Sequence, residues 1–186
     1  MKKIFVIVLF MSIISCNKSP KESSEEYFDD IKNKISAKFG KSSYFTGLMI
    51  NETAQGTILS VLHIAKESQL EASCYVYTNG LWKEMYNQPL SILPNEKSEQ
   101  YMFQLDEKID SYTLAKIVSD AKKDVRDRIQ VNDLKLEQLA MRPPKSGNLP
   151  TIHYDVTIRS DSLERNFNYR YNIDGTLYDA DLNNTE

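Results

Sequence analysis

The sequence predicts an α+β protein made of two tandem repeats, each a helix followed by a four-stranded antiparallel sheet. Three observations carry that prediction. Within residues 164–173, apolar Phe167, Tyr169, Tyr171 and Ile173 alternate with polar Asn166, Asn168, Arg170 and Asn172, the period of a strand with one wet face. Asp174-Gly175 then tolerates the positive φ of a two-residue type I′ turn, so Thr176 to Leu182 returns as the second arm of a hairpin. The same design stands earlier, in residues 70–86 around Asn79-Gly80, and a segment of helical periodicity precedes each hairpin.

Taken in order, the chain starts with a basic Met1-Lys2-Lys3, an apolar run from Ile4 to Ile14, and Ser15 before Cys16. The run is too short to span a bilayer and has the form of a secretory signal, residues 1–15. Ile13-Ile14-Ser15-Cys16 resembles the lipobox of bacterial lipoproteins. That resemblance implies cleavage before Cys16 and its acylation by a diacylglycerol and usually a third chain. At about 0.8 kcal/mol per buried CH₂, several chains hold a protein on a membrane without a transmembrane helix. The expected product is a lipid-anchored domain on the periplasmic side of a bacterial envelope, at the outer membrane. An ordinary signal peptide that happens to end near a cysteine is the plainer alternative.

Removing residues 1–15 takes Lys2 and Lys3 from the 23 basic residues and none from the 26 acidic ones, leaving a net charge of about −5. An acidic surface disfavours nucleic acid. With Cys16 acylated, Cys74 has no partner for an intrachain disulfide. It shares an alternation with Leu70, Ala72 and Val76, which reads as a small buried hydrophobe rather than a nucleophile.

Residues 16–24 are polar, contain Pro20 and form the expected tether. The first repeat follows over residues 25–86. Ser23 and Glu26 have capping-box spacing, Phe28, Ile31, Ile35 and Phe39 recur on one helical face, and Gly40 ends the helix. Strands are expected at Tyr44–Ile50, Gly56–Ala65, Leu70–Thr78 and Leu81–Tyr86, with turns at Asn51-Glu52, Lys66-Glu67-Ser68 and Asn79-Gly80. Residues 87–110, broken by Pro89 and Pro94, are a connector whose patch Tyr101–Leu105 can add a strand.

The second repeat covers residues 111–182. Ser111 caps a helix whose Leu114, Ile117, Val118, Ala121 and Val125 make a buried stripe, with a charged outer face that reads as solvated. Strands are expected at Asp133–Met141, Thr151–Arg159, Glu164–Ile173 and Thr176–Leu182, and residues 183–186 are a tail. Pro143-Pro144 to Pro150 is a polar loop and Ser160-Asp161-Ser162 a tight one. Tyr77 lies two residues before its turn and Tyr171 three before Asp174, a difference that a bulge or an extra loop residue explains.

A helix and a curved antiparallel sheet, twice over, with Tyr169, Tyr171, Asp174, Gly175 and Leu177 echoed at Tyr75, Tyr77, Asn79, Gly80 and Leu81, resembles tandem PepSY-like domains. It is similar, too, to the two-repeat fold of the β-lactamase inhibitor proteins. Both resemblances imply non-enzymatic modules that bind or inhibit proteins, and neither carries a catalytic residue across.

Catalytic motifs are absent from the sequence: there is no His-Glu-x-x-His, Gly-x-Ser-x-Gly, phosphate-cradling glycine loop or Cys-x-x-Cys. His63 and His153 hold comparable places in the two repeats, yet a metal site needs a third ligand at a definable spacing. Asp174, Asp179 and Asp181 lack the spacing of a calcium loop. No cofactor, metal or catalytic residue is therefore expected, and the chain is read as a binding protein rather than an enzyme. The candidate binding residues are Tyr75, Tyr77, Trp82, Tyr169, Tyr171 and Tyr178, which pair large contact area with a polar handle if they stand on a free sheet face. Core packing is the competing role for the same side chains. The expected function is recognition of a protein partner, of inhibitor or immunity type; a structural or accessory lipoprotein of an envelope complex, or a small-ligand binder, are the alternatives. Asp161-Ser162-Leu163 resembles the O-glycosylation site of Bacteroidetes envelope proteins, though a plain turn accounts for it.

Overall fold

A computed structural model describes residues 23–65, 71–92, 94–142 and 152–182. The signal segment, Cys16, most of the tether, the loops at 66–68 and 143–150 and the tail lie outside the described residues. The elements run α1 (Glu25–Phe39), β1 (Tyr44–Thr53), β2 (Gly56–Ile64), β3 (Glu71–Thr78), β4 (Leu81–Pro89), a 3₁₀ turn (Ser98–Tyr101), β5 (Phe103–Gln104), α2 (Leu105–Lys108), α3 (Ser111–Ile129), β6 (Leu134–Arg142), β7 (His153–Ser160), β8 (Arg165–Asn172) and β9 (Leu177–Asp181). The α+β class and the two helix-plus-four-strand units are as the sequence indicates.

All strands join one antiparallel sheet in the order β4-β3-β2-β1-β6-β7-β8-β9, with the short β5 also beside β1. The units meet where β1 pairs β6, Leu48 to Met141 through Asn51 to Gln138. The seam is hydrogen-bonded at side-chain level too, Gln138 Nε2 donating to Asn51 Oδ1 at 2.8 Å. Both long helices lie on one face. Phe28, Ile31 and Ile35 of α1 and the whole predicted stripe of α3 share a single core with Phe45, Leu48, Ile50, Leu139, Tyr154, Val156, Phe167, Tyr169 and Tyr171.

Both helix starts fall one residue from expectation. Ser24, not Ser23, caps α1, its Oγ accepting from Tyr27 N at 3.2 Å. Asp110, not Ser111, caps α3, its Oδ2 accepting from Thr113 N at 3.0 Å, while Ser111 is buried as the first helical residue. On α3 the outer charges are arranged as opposite-sign pairs one turn apart: Lys116–Asp120 at 2.6 Å, Lys123–Asp127, and Asp124–Arg128 at 2.8 Å. At such exposure solvent screens them, and their contribution to stability is small.

Two turns differ from expectation. The first hairpin continues through Asn51-Glu52 to turn at 54–55, because the Glu52 carboxylate accepts from Thr57 Oγ1 at 2.8 Å and from the Tyr27 hydroxyl, which holds β1 extended. The last hairpin is not a two-residue Asp174-Gly175 turn. Gly175 N donates to Asn172 O and Asn172 N to Thr176 O, both at 2.9 Å, which closes a three-residue loop, Ile173-Asp174-Gly175, with Gly175 at φ 81°. Asp174 Oδ1 accepts from Thr176 N and Oγ1 and stabilises the longer form. Against the two-residue Asn79-Gly80 turn, this supplies the extra loop residue that offsets Tyr171 from Tyr77.

Bulges recur at equivalent strands of the two units. The register slips by one at Thr46 of β1 and Glu137 of β6, and again at Met85 of β4 and Tyr178 of β9. The connector then ties the two faces together: Met102 and Leu90 pack with Ile64, Ala72 and Leu62, while Phe103 enters the helix-side core beside Phe45.

Candidate functional site: the open face of the sheet

Alternation along each strand sends one set of side chains to the helices and leaves the other set on a face with no helix over it among the described residues. In β7 the buried set is Tyr154, Val156, Ile158 and Ser160, and the other set is His153, Asp155, Thr157 and Arg159. Tyr154 is anchored on the helix side, its hydroxyl donating to Lys108 O at 2.9 Å.

The open face is divided by chemistry at the seam. On the first unit, Gly47, Met49, Leu62, Cys74, Val76 and Ala140 floor an apolar trough of about 360 Å³, with Met85 and Tyr86 at its rim. Met85 and Tyr86 are neighbours in sequence and line the same trough because the β4 bulge inserts Met85 between the partners of Tyr75 and Cys74. They are 53% and 56% exposed, and Leu81 on the same edge strand is 73% exposed. Cys74 is buried at the bottom, directly opposite Tyr86, whose phenol is raised first by its hydrogen bond with Cys74.

On the second unit the trough is polar, about 350 Å³, lined among others by Gln138, Thr157, Asn168, Asp179 and Asp181. Its centre is Asp155, which accepts from Arg142 Nε at 2.7 Å and Arg170 Nε at 3.0 Å, with His153 Nε2 at 3.6 Å. Burial alone would raise this carboxyl; the two arginine hydrogen bonds outweigh it and hold it below the usual carboxylate range. Arg142 borders both troughs, so it stands at the chemical boundary.

The candidate aromatic residues fall on the other side. Tyr169 and Tyr171 are each 3% exposed under α3, and the Tyr169 hydroxyl donates to Asp124 at 3.0 Å. Burial first, then the nearby carboxylates, push both phenols above their ordinary value. Tyr75, Tyr77 and Trp82 pack beside α1: Phe39 meets Tyr75 and Trp82 at centroid distances of 5.0 and 5.2 Å, and Lys34 and Lys38 lie over Tyr77 and Tyr75. These five side chains are thus part of the helix–sheet packing and not of the open face. Tyr178, 68% exposed at the β9 bulge, is the one of the six that stands clear in solvent.

The two histidines are on opposite faces. His63 packs against Phe39 at 4.5 Å and Phe45 at 5.5 Å on the helix side, where burial lowers its pKa, whereas His153 stands beside Asp155. The shared site that their comparable sequence positions suggested is not assembled. Among the described residues no cluster of three or more His, Cys, Asp or Glu side chains is placed to hold a metal.

The residues of the apolar trough were missed in the sequence, and a signal for them existed. β2 carries apolar residues on both faces, Leu59 and Val61 in the helix-side core and Ile58, Leu62 and Ile64 on the other, the pattern of a strand wanted on two sides.

Fold and face together define a two-layer α+β protein with one sheet surface covered by helices and one presented. No family model matches the chain, and the comparison with curated proteins found no match. Among solved structures it is similar to a candidate lipoprotein from Clostridium difficile 630, with a TM-score of 0.48, 8% identity, and coverage of 83% of this chain and 91% of that one.

Proposed function

We propose that the chain is a lipid-anchored protein of the bacterial envelope that binds a protein partner through the open face of its sheet. The observation that carries the reading is the division of that face: an apolar trough with exposed Met85 and Tyr86 adjoins a polar surface organised by Asp155, Arg142 and Arg170. An apolar anchor surrounded by hydrogen-bonding and charged groups is the anatomy of a protein-recognition patch. The lipobox-like Ile13-Ile14-Ser15-Cys16 supports the anchor, and the resemblance to two-repeat inhibitor folds supports an inhibitor or immunity role without catalysis.

The test compares open-face and helix-face variants for capture of one envelope or toxin protein. Met85→Glu with Tyr86→Glu should abolish capture, since charge placed in a desolvated hot spot costs at least ~2 kcal/mol, about thirtyfold in affinity. Ala37→Glu on the far side of α1 should leave it unchanged. Capture of the same protein equally by all variants would refute the open-face reading.

A further inference from the structure

The described chain starts on the helix side of the sheet, opposite the open face. Ser23 and Ser24, where the tether joins the domain, share a depression of about 550 Å³ with Ser119, Lys122, Lys123 and Arg126 of α3. We propose that the outer surface of α3 around this depression rests on an anionic lipid surface, so that the open face of the sheet points away from the membrane. The inference rests on the anchor reading above.

Two arguments favour lipid as the occupant. The first is reach. Seven residues, 16–22, separate the lipobox cysteine from Ser23, and fully extended they span about 25 Å. A helix layer and a sheet layer are together about 20 Å thick, so turning the open face to the bilayer would consume nearly the whole tether. With α3 toward the membrane, the tether needs almost none of it.

Charge is the second argument. The full chain has 26 acidic against 23 basic residues, but α3 has five basic against three acidic. Asp127 borders the same depression, so its own lining has three basic groups and one acidic. Glu25 and Glu26 stand at the nearby start of α1, which over its length has four acidic and three basic residues. The basic surplus is thus confined to α3, while the chain as a whole is acidic, and an anionic surface attracts the former and repels the rest.

The experiment uses the full acylated protein in nanodiscs of phosphatidylcholine alone or with one-third phosphatidylglycerol, with lysine labelling read by mass spectrometry. Each basic residue near such a surface is favoured about fivefold, so the surplus of two predicts on the order of twentyfold preference for the docked orientation. Labelling of Lys122 and Lys123 should fall severalfold in the anionic discs and recover in high salt, while Lys83 on β4 and Lys135 on β6 stay reactive. A Lys122→Glu/Arg126→Glu variant with an unchanged circular dichroism spectrum should lose the protection of Lys123. Acylated protein with uniform labelling, or with Lys83 and Lys135 protected instead, overturns the orientation and leaves the anchor standing. A chain whose mass shows no acyl group on Cys16 overturns both.

Discussion

Asp133 shows how much a single exposed carboxylate can organise. It precedes β6, yet it accepts from Ser162 N at 2.6 Å, Ser162 Oγ at 2.9 Å and Ser160 Oγ at 2.9 Å, fastening the β7–β8 turn to the start of the unit's sheet. Those bonds, the Ser162 backbone donor first, push its pKa down to about 2. Because the folded value lies below the ordinary value of about 3.9, the ionised carboxylate favours the fold above pH ~4, and the contribution fades as pH falls from about 4 toward 2. Asp133→Ala should therefore unfold at lower urea than wild type at pH 7, with the gap between the two curves closing by pH 2. A gap that persists unchanged at pH 2 would mean that the residue acts through something other than its charge. A turn after β7 was legible from Ser160-Asp161-Ser162, although it falls at 161–164 with Ser160 ending the strand; its dependence on Asp133 was not legible, since a contact across 29 positions leaves no local pattern.

At the scale of elements, the two hairpin glycines separate backbone conformation from packing. Gly80 and Gly175 have nearly equal φ, 80° and 81°, in the left-handed region that costs an L-residue roughly 1 kcal/mol. A Cβ on Gly80 would meet nothing within 4 Å, whereas one on Gly175 would lie 3.0 Å from Thr113 Cγ2 and 3.4 Å from Ile117 Cγ2 of α3. Gly80→Ala should cost about 1 kcal/mol, and Gly175→Ala about 1–3 kcal/mol more, since the added methyl overpacks the hairpin against the helix. Urea midpoints of the two variants decide it: equal losses would show that the last hairpin gives way freely at α3. Both turns were readable from Asn-Gly and Asp-Gly. What could not be read was that Asp174 would cap a three-residue loop, because Ile173 passes equally as the last strand residue or the first turn residue. The helix caps slipped for a similar reason: Ser23 with Ser24, and Asp110 with Ser111, are adjacent capping residues, and only the backbone geometry chooses between them.

For the whole molecule, the two helix-plus-four-strand units were visible in the sequence but the joint between them was not. Periodicity places α1 and α3, yet nothing local tells β1 to pair with β6 across roughly ninety residues, and that pairing decides that there is one sheet and one core. It decides the candidate site as well. The tyrosines stood out in composition, but once both helices share a face, the strand alternation that holds Tyr169 and Tyr171 in the core sends Met49, Leu62 and Val76 to the open side. The seam also makes a thermodynamic prediction. Ile50 of β1 is fully buried in the common core and pairs Leu139 of β6, so Ile50→Ala should cost about 2–5 kcal/mol. If the two units are one cooperative body, that loss appears equally in both. Trp82, the single tryptophan, reports the first unit by fluorescence, and amide exchange in β7 and β8 reports the second. Both readouts should shift to the same lower denaturant concentration in the variant and coincide in wild type, as a two-state transition requires. If Trp82 fluorescence moved while β7 and β8 kept their wild-type midpoint, the units would be independent domains that merely share an edge, and the division of the open face would be an accident of their contact.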